Sequence, residues 1–159
     1  MKLKLSHMLA LVSASCLVLG VTVLAQDSNI GTWKLNVAKS KFTPGPAIKS
    51  QTLKIEPWGA DGVKFTSDGM DADGKPTHFE FQAKYDGKDM PVKGNPDFDT
   101  LAYKRIDANT IEATTKLKGK VVGTGRAVVS ADGKTRTLTQ TGTNAKGEKM
   151  NNTLVYEKQ

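Results

Sequence analysis

A chain of 159 residues with a net charge of +7 and one cysteine is sized for a single domain and lacks the thiols for a disulfide framework or a cysteine-rich zinc site. Its two histidines are too few for a multi-histidine metal centre. The 23 basic residues are scattered singly among acids and threonines, which reads as solvated strand faces and sets nucleic acid aside as a partner.

The chain opens with Lys2 and Lys4, followed by an almost wholly apolar run from Met8 to Leu24. Val23 and Ala25 occupy the small-residue positions of a cleavage site. Residues 1–25 therefore read as a signal peptide, with Gln26 as the mature N-terminus and a periplasmic or secreted destination. Cys16 invites a lipoprotein reading, but Ser13 stands where such a signal needs a leucine-like residue. Lys2 and Lys4 are the only charged side chains before Gln26, so residues 26–159 carry +5. No second apolar run follows that could span a membrane.

The rest reads as one all-β domain, 26–159. Ten strands are expected at about 30–36, 48–56, 62–69, 75–85, 88–93, 99–106, 110–118, 120–130, 134–142 and 148–157. Apolar and polar residues alternate within them. Leu53 and Ile55 oppose Lys54 and Glu56; Phe79, Phe81 and Ala83 oppose His78, Glu80 and Gln82; Ile111, Ala113 and Leu117 oppose Glu112, Thr114 and Lys116. Period two with one polar face marks half-buried antiparallel strands. The breaks carry turn chemistry: Ala60-Asp61-Gly62, Ala72-Asp73-Gly74, Tyr85-Asp86-Gly87 and Ala131-Asp132-Gly133 each place glycine where a hairpin loop needs positive φ. Val37 to Ala47 is a loop, with Pro44 and Pro46 denying it helix and ladder bonds. Gly123 and Gly125 suggest a bulge that swaps the faces of the eighth strand, leaving the direction of Arg126 open. So many hairpin-joined strands close on themselves or split into two layers.

Gly31-Thr32-Trp33 in the first strand resembles the Gly-x-Trp entry of the calycins: lipocalins, fatty-acid-binding proteins and avidins. Val155-Tyr156-Glu157-Lys158 is similar to the last strand of fatty-acid-binding proteins. The resemblance implies an antiparallel up-and-down, lipocalin-like β-barrel with Trp33 plugging one end and Gly31 allowing a close approach there. Two departures stand out. The helical lid of fatty-acid-binding proteins has no counterpart in the short, proline-bearing first connection. Their carboxylate-gripping arginine, two residues before the terminal tyrosine, is replaced by Leu154.

Function is read from the interior. An apolar inner set with a few polar groups suits a small hydrophobic or amphipathic ligand. Phe79, Phe81, Tyr103 and Tyr156 are the candidate ligand-binding residues. Arg105 joins them as an anion anchor if it points inward; a solvated strand end is the other position open to it. Trp58 would carry the contact if the chain is instead a protein-binding or envelope-associated β module. No cofactor is implied. Asp71, Asp73, Gly74 and Glu80 imitate a calcium loop, but Gly69 fills the first ligand position and a hairpin explains the spacing. His78, alone on a polar face, does not make a catalytic set, so binding is expected and catalysis is not.

Overall fold

Period-two patterning turns one side of every strand towards a common axis, and the ten strands have nowhere to bury that side except against each other. The computed structural model describes residues 27–144 and 146–159 and shows how they do so. Residues 1–25, expected to be a signal peptide, and with them Cys16, lie outside the described residues. The strands are β1 (Gly31–Leu35), β2 (Ser50–Trp58), β3 (Gly62–Met70), β4 (Pro76–Lys84) and β5 (Asp86–Lys93), then β6 (Thr100–Arg105), β7 (Thr110–Leu117), β8 (Lys120–Val129), β9 (Thr135–Thr143) and β10 (Lys149–Lys158). Each pairs antiparallel with the next, and β1 pairs with β10, closing the barrel. Every strand lies within two residues of its expected bounds.

Three local details differ from, or sharpen, the sequence expectation. In the β2–β3 hairpin the positive φ falls on Gly59, not on Gly62. Trp58 pairs with Gly62 in the ladder, so the loop is Gly59-Ala60-Asp61 and Gly62 is already strand. The expected loop after β1 contains one turn of 3-10 helix, Val37–Lys39, capped by Asn36 Oδ1 accepting the Lys39 N–H at 3.1 Å. In place of a helical lid, this connection runs beside β10, where Lys41 bridges Thr153, and it packs Phe42 and Ile48 against the core. Finally, the bulge in β8 is real. Thr115 pairs with Gly123 and Lys116 with Val121, leaving Val122 as the extra residue. Gly123, Gly125, Ala127 and Val129 then share the inner face, and Arg126 points outward to Glu112 at 2.8 Å.

One seam is thin. β4 and β5 share only two paired positions, Glu80 with Lys93 and Phe81 with Val92. The Tyr85-Asp86-Gly87 turn and a register shift between Asp86 and Asp89 lead β5 towards β6 instead. A groove of about 280 Å³ opens there, lined by Phe81, Met90 and Pro91 among others.

The core is densest at the end where β1 begins. Trp33, Ile55, Val63, Ala83, Ile111 and Val129 are fully buried there. Trp33 donates its Nε1–H to the Asn29 carbonyl at 2.9 Å, so residues 27–30 form a cap over the ring. Gly31 has φ +139, and a Cβ at that position would meet Lys158 Cε at 2.7 Å. Its bareness lets the Lys158 ammonium lie 5.0 Å from the Trp33 ring centroid. A Trp33→Ala variant should lose about 3–5 kcal/mol of stability, measured by denaturant unfolding.

Candidate functional site

The inward faces of β2, β3, β6, β9 and β10 carry polar groups where apolar packing alone would be simplest. On β9 the alternation Thr135-Arg136-Thr137-Leu138-Thr139 sends the threonines outward and Arg136 and Leu138 into the lumen. Arg136 sits in the ladder between Val129 and Tyr156 and is 2% exposed. Its Nη2 donates to the Tyr103 hydroxyl at 3.3 Å. Its Nε and Nη1 have no partner, and it forms no ion pair among the described residues. Beside it the Tyr156 hydroxyl donates to Gln51 Oε1 at 2.6 Å, and Gln51 Nε2 donates to Ser67 Oγ at 2.8 Å. Burial pushes the Tyr156 phenol well above its ordinary pKa, so it is a neutral donor. A buried guanidinium with free N–H groups, no carboxylate and neutral neighbours has the hydrogen-bonding capacity to take up one negative charge.

Around this polar centre the wall is uneven. β3 to β6 contribute rings: Phe65 stacks on its cross-strand partner Phe81 at 4.7 Å, Phe81 meets Tyr103 edge-on at 5.6 Å, and Phe79 meets Phe98 at 6.1 Å. β7 and β8 contribute Ala113, Thr115, Gly123 and Gly125 at the same ladder levels as Tyr103 and Leu101. Inward-facing residues nearest the Trp33 end are sealed, whereas Phe79, Ala113, Thr115, Leu117 and Gln140 are half-buried. Solvent therefore reaches the lumen from the end opposite Trp33.

Of the residues expected to bind a ligand, Phe79, Phe81, Tyr103 and Tyr156 all face the lumen, and Tyr103 and Tyr156 both lie next to Arg136. Arg105 does not join them. It lies at the closed end, 3.9 Å from the Tyr85 ring centroid, with its Nη2 on Asp27 Oδ2. Tyr85 donates to the same oxygen at 2.7 Å. Burial works against the ionised Asp27, but hydrogen bonds from Tyr85, Arg105 and the Asn29 N–H outweigh it and hold the carboxyl below its ordinary pKa. This cluster ties the cap to the turn between β4 and β5 and to β6, beside an open crevice of about 630 Å³. On the outer surface, His78 Nδ1 lies 2.7 Å from Asp68, and Asp71 Oδ1 accepts the Lys75 N–H at 2.8 Å as a hairpin closes. Trp58 is half-buried and lies against Gly62. Arg136, Gln51 and Ser67 were the residues that pattern reading missed. The available signal was an arginine in phase with Leu138 along a threonine-rich strand.

No protein-family model and no curated protein matches the chain. Solved structures do. The wild-type fluorescent protein UnaG aligns with a TM-score of 0.54 at 14% identity, covering 83% of this chain and 98% of its own. Zebrafish ileal bile acid-binding protein, in complex with cholic acid, aligns with a TM-score of 0.50 at 13% identity, covering 83% of this chain and 99% of its own. The fold is calycin-like. At these identities the likeness concerns the calycin-like barrel itself, and the interior chemistry is this chain's own.

Two outcomes follow from the site. Asp27→Ala should lower stability by about 1–3 kcal/mol, because Arg105 and Tyr85 lose their shared acceptor. The folded-state pKa of Asp27 is depressed, so its contribution is complete above about pH 4 and is lost as pH falls through the lowered value. Unfolding curves of the parent and Asp27→Ala should accordingly converge on acidification. Arg136→Met should raise the stability of the empty barrel by about 1–4 kcal/mol, since a buried charge without a counter-ion opposes folding; a lower melting temperature would refute this.

Proposed function

We propose that this chain is an exported binding protein that holds one small amphipathic anion, its charged group on Arg136 and its apolar body against the lumen rings. The observation that carries the reading is the buried guanidinium with two unpartnered nitrogens. Leaving such a group empty costs several kcal/mol, and a carboxylate accepting two N–H bonds offsets that cost directly. The Tyr103 hydroxyl, an acceptor for Arg136, has its own proton free for the same anion. Likeness to a barrel complexed with cholic acid agrees with a ligand of this kind. Binding rather than catalysis fits the placement of His78 on the outer face, paired with Asp68. Export rests on the leader-like composition of residues 1–25.

Native mass spectrometry of protein from its own host should reveal an organic acid bound one to one, lost in Arg136→Gln by roughly tenfold or more in affinity. A bare polypeptide that also ignores a panel of amphipathic carboxylates would remove the reading. Intact mass of the exported protein should place the N-terminus at Gln26; retention of residues 1–25 would overturn export by cleavage.

A further inference from the structure

The two ends of the barrel differ in charge, and the order of the chain hides it. Successive loops fall at opposite ends, so lysines scattered along the sequence meet at one rim. At the open end, residues 36–49, 71–75, 94–99, 118–119 and 144–148 carry six lysines and five acids. At the Trp33 end, residues 27–30, 59–61, 106–109 and 130–134 carry one lysine and four aspartates. The acids of the open rim are engaged in its turns. Asp71 accepts the Lys75 N–H at 2.8 Å, Asp99 the Lys118 N–H at 2.9 Å, and Glu148 the Asn144 amide at 2.8 Å. Its lysines are not engaged. Lys41, Lys49, Lys75, Lys120, Lys146 and Lys149 are exposed and form no ion pair among the described residues, whereas Lys54, Lys84 and Lys116 on the walls each meet a carboxylate.

Apolar groups stand among these ammonium groups. Val121, 61% exposed, and Met70, 48% exposed, are the two most exposed large hydrophobic side chains among the described residues. Both lie at the open end: Met70 is the last residue of β3, and Val121 is the second of β8. Those strands are five apart whichever way the ring of ten is followed, so the two side chains stand on opposite sides of the mouth. Exposed Pro44, Pro46 and Ala47 occupy the arc between them. Their loop is fixed at one end by the Asn151 N–H on the Thr43 carbonyl at 2.8 Å, and at the other by the Lys49 N–H on the Met70 carbonyl at 3.0 Å. Points spaced around a rim are touched together by a broad, flat surface. Lysines lacking acids require that surface to be negative, and apolar tips between them require an apolar layer beneath the charge.

We infer that the open end of the barrel docks on an anionic phospholipid membrane, with its lysines on the headgroups and Met70, Val121 and the 43–47 loop in the interface. The inference goes beyond the Arg136 site and does not depend on it. Docked this way, the mouth faces the layer in which amphipathic anions dissolve.

Vesicle co-sedimentation of residues 26–159, the expected exported form with the complete barrel, tests it. One set of vesicles holds phosphatidylglycerol and phosphatidylcholine in equal parts, the other phosphatidylcholine alone. Binding to the first should exceed binding to the second by about tenfold or more, and should fall in about 0.5 M salt. Lys49→Glu combined with Lys120→Glu should weaken it by about tenfold or more; Lys104→Glu combined with Lys134→Glu, the same charge change away from the open rim, should weaken it by about twofold at most. Residues 26–159 hold no cysteine, so Val121→Cys and Val128→Cys can each carry a polarity-sensitive fluorophore. Its emission should shift to the blue on vesicles at position 121 and stay unchanged at position 128, on the outer wall. Parent protein left in solution by the anionic vesicles, equal losses in the two double variants, or equal spectral shifts at the two labelled positions would each overturn the docking. None of these outcomes bears on the binding proposed for Arg136.

Discussion

Closure of the barrel hangs on a short contact. β1 offers five residues, and only Trp33, Lys34 and Leu35 pair with β10. So few ladder bonds hold a first strand weakly, and the chain reinforces it with side chains. Trp33 fills the closed end and ties back to Asn29; Lys158, its cross-strand partner, covers the ring over Gly31. Beyond Leu35, Lys41 rejoins β10 at Thr153, so the strand is continued by a loop. Asp27 then fastens the cap to Tyr85 and Arg105 across the barrel. Every inward side chain in the lumen depends on this closure for its neighbours.

Within that enclosure two kinds of polar group behave differently. Asp27 and Arg105 satisfy each other at the closed end, where solvent still reaches both. Arg136 is deeper and unmatched. A fold selected for stability alone would place an aliphatic residue between Val129 and Tyr156. The structure instead accepts a local penalty at the point where its tyrosines and its rings converge, and that penalty is the energetic ground of the binding proposed above.

Much of the architecture was legible in the residues. Strand alternation reaches across the whole chain, and Asp-Gly turns punctuate it, so element number and inner faces follow from local rules. The inward set of Phe79, Phe81, Tyr103 and Tyr156 came from the same rule. The site was less legible for a physical reason. Arginine on a strand is ordinarily solvated, and nothing local to Arg136 tells that both neighbouring strands enclose it. Arg105 could not be placed because its partner, Asp27, is distant in sequence and lies in a cap that has no periodic signature. At Ala60-Asp61-Gly62 the turn chemistry was right in kind and shifted in register, since Gly59 competed for the same role.

The sparse seam between β4 and β5 has one more implication. Together with the brief β1–β10 contact it divides the cylinder into two sheets, strands one to four and strands five to ten. Each sheet is an uninterrupted stretch of sequence, and the two meet in the chain at Tyr85. The molecule is thus organised as a pair of complementary fragments, the kind of arrangement from which a severed polypeptide can reassemble when its halves are mixed.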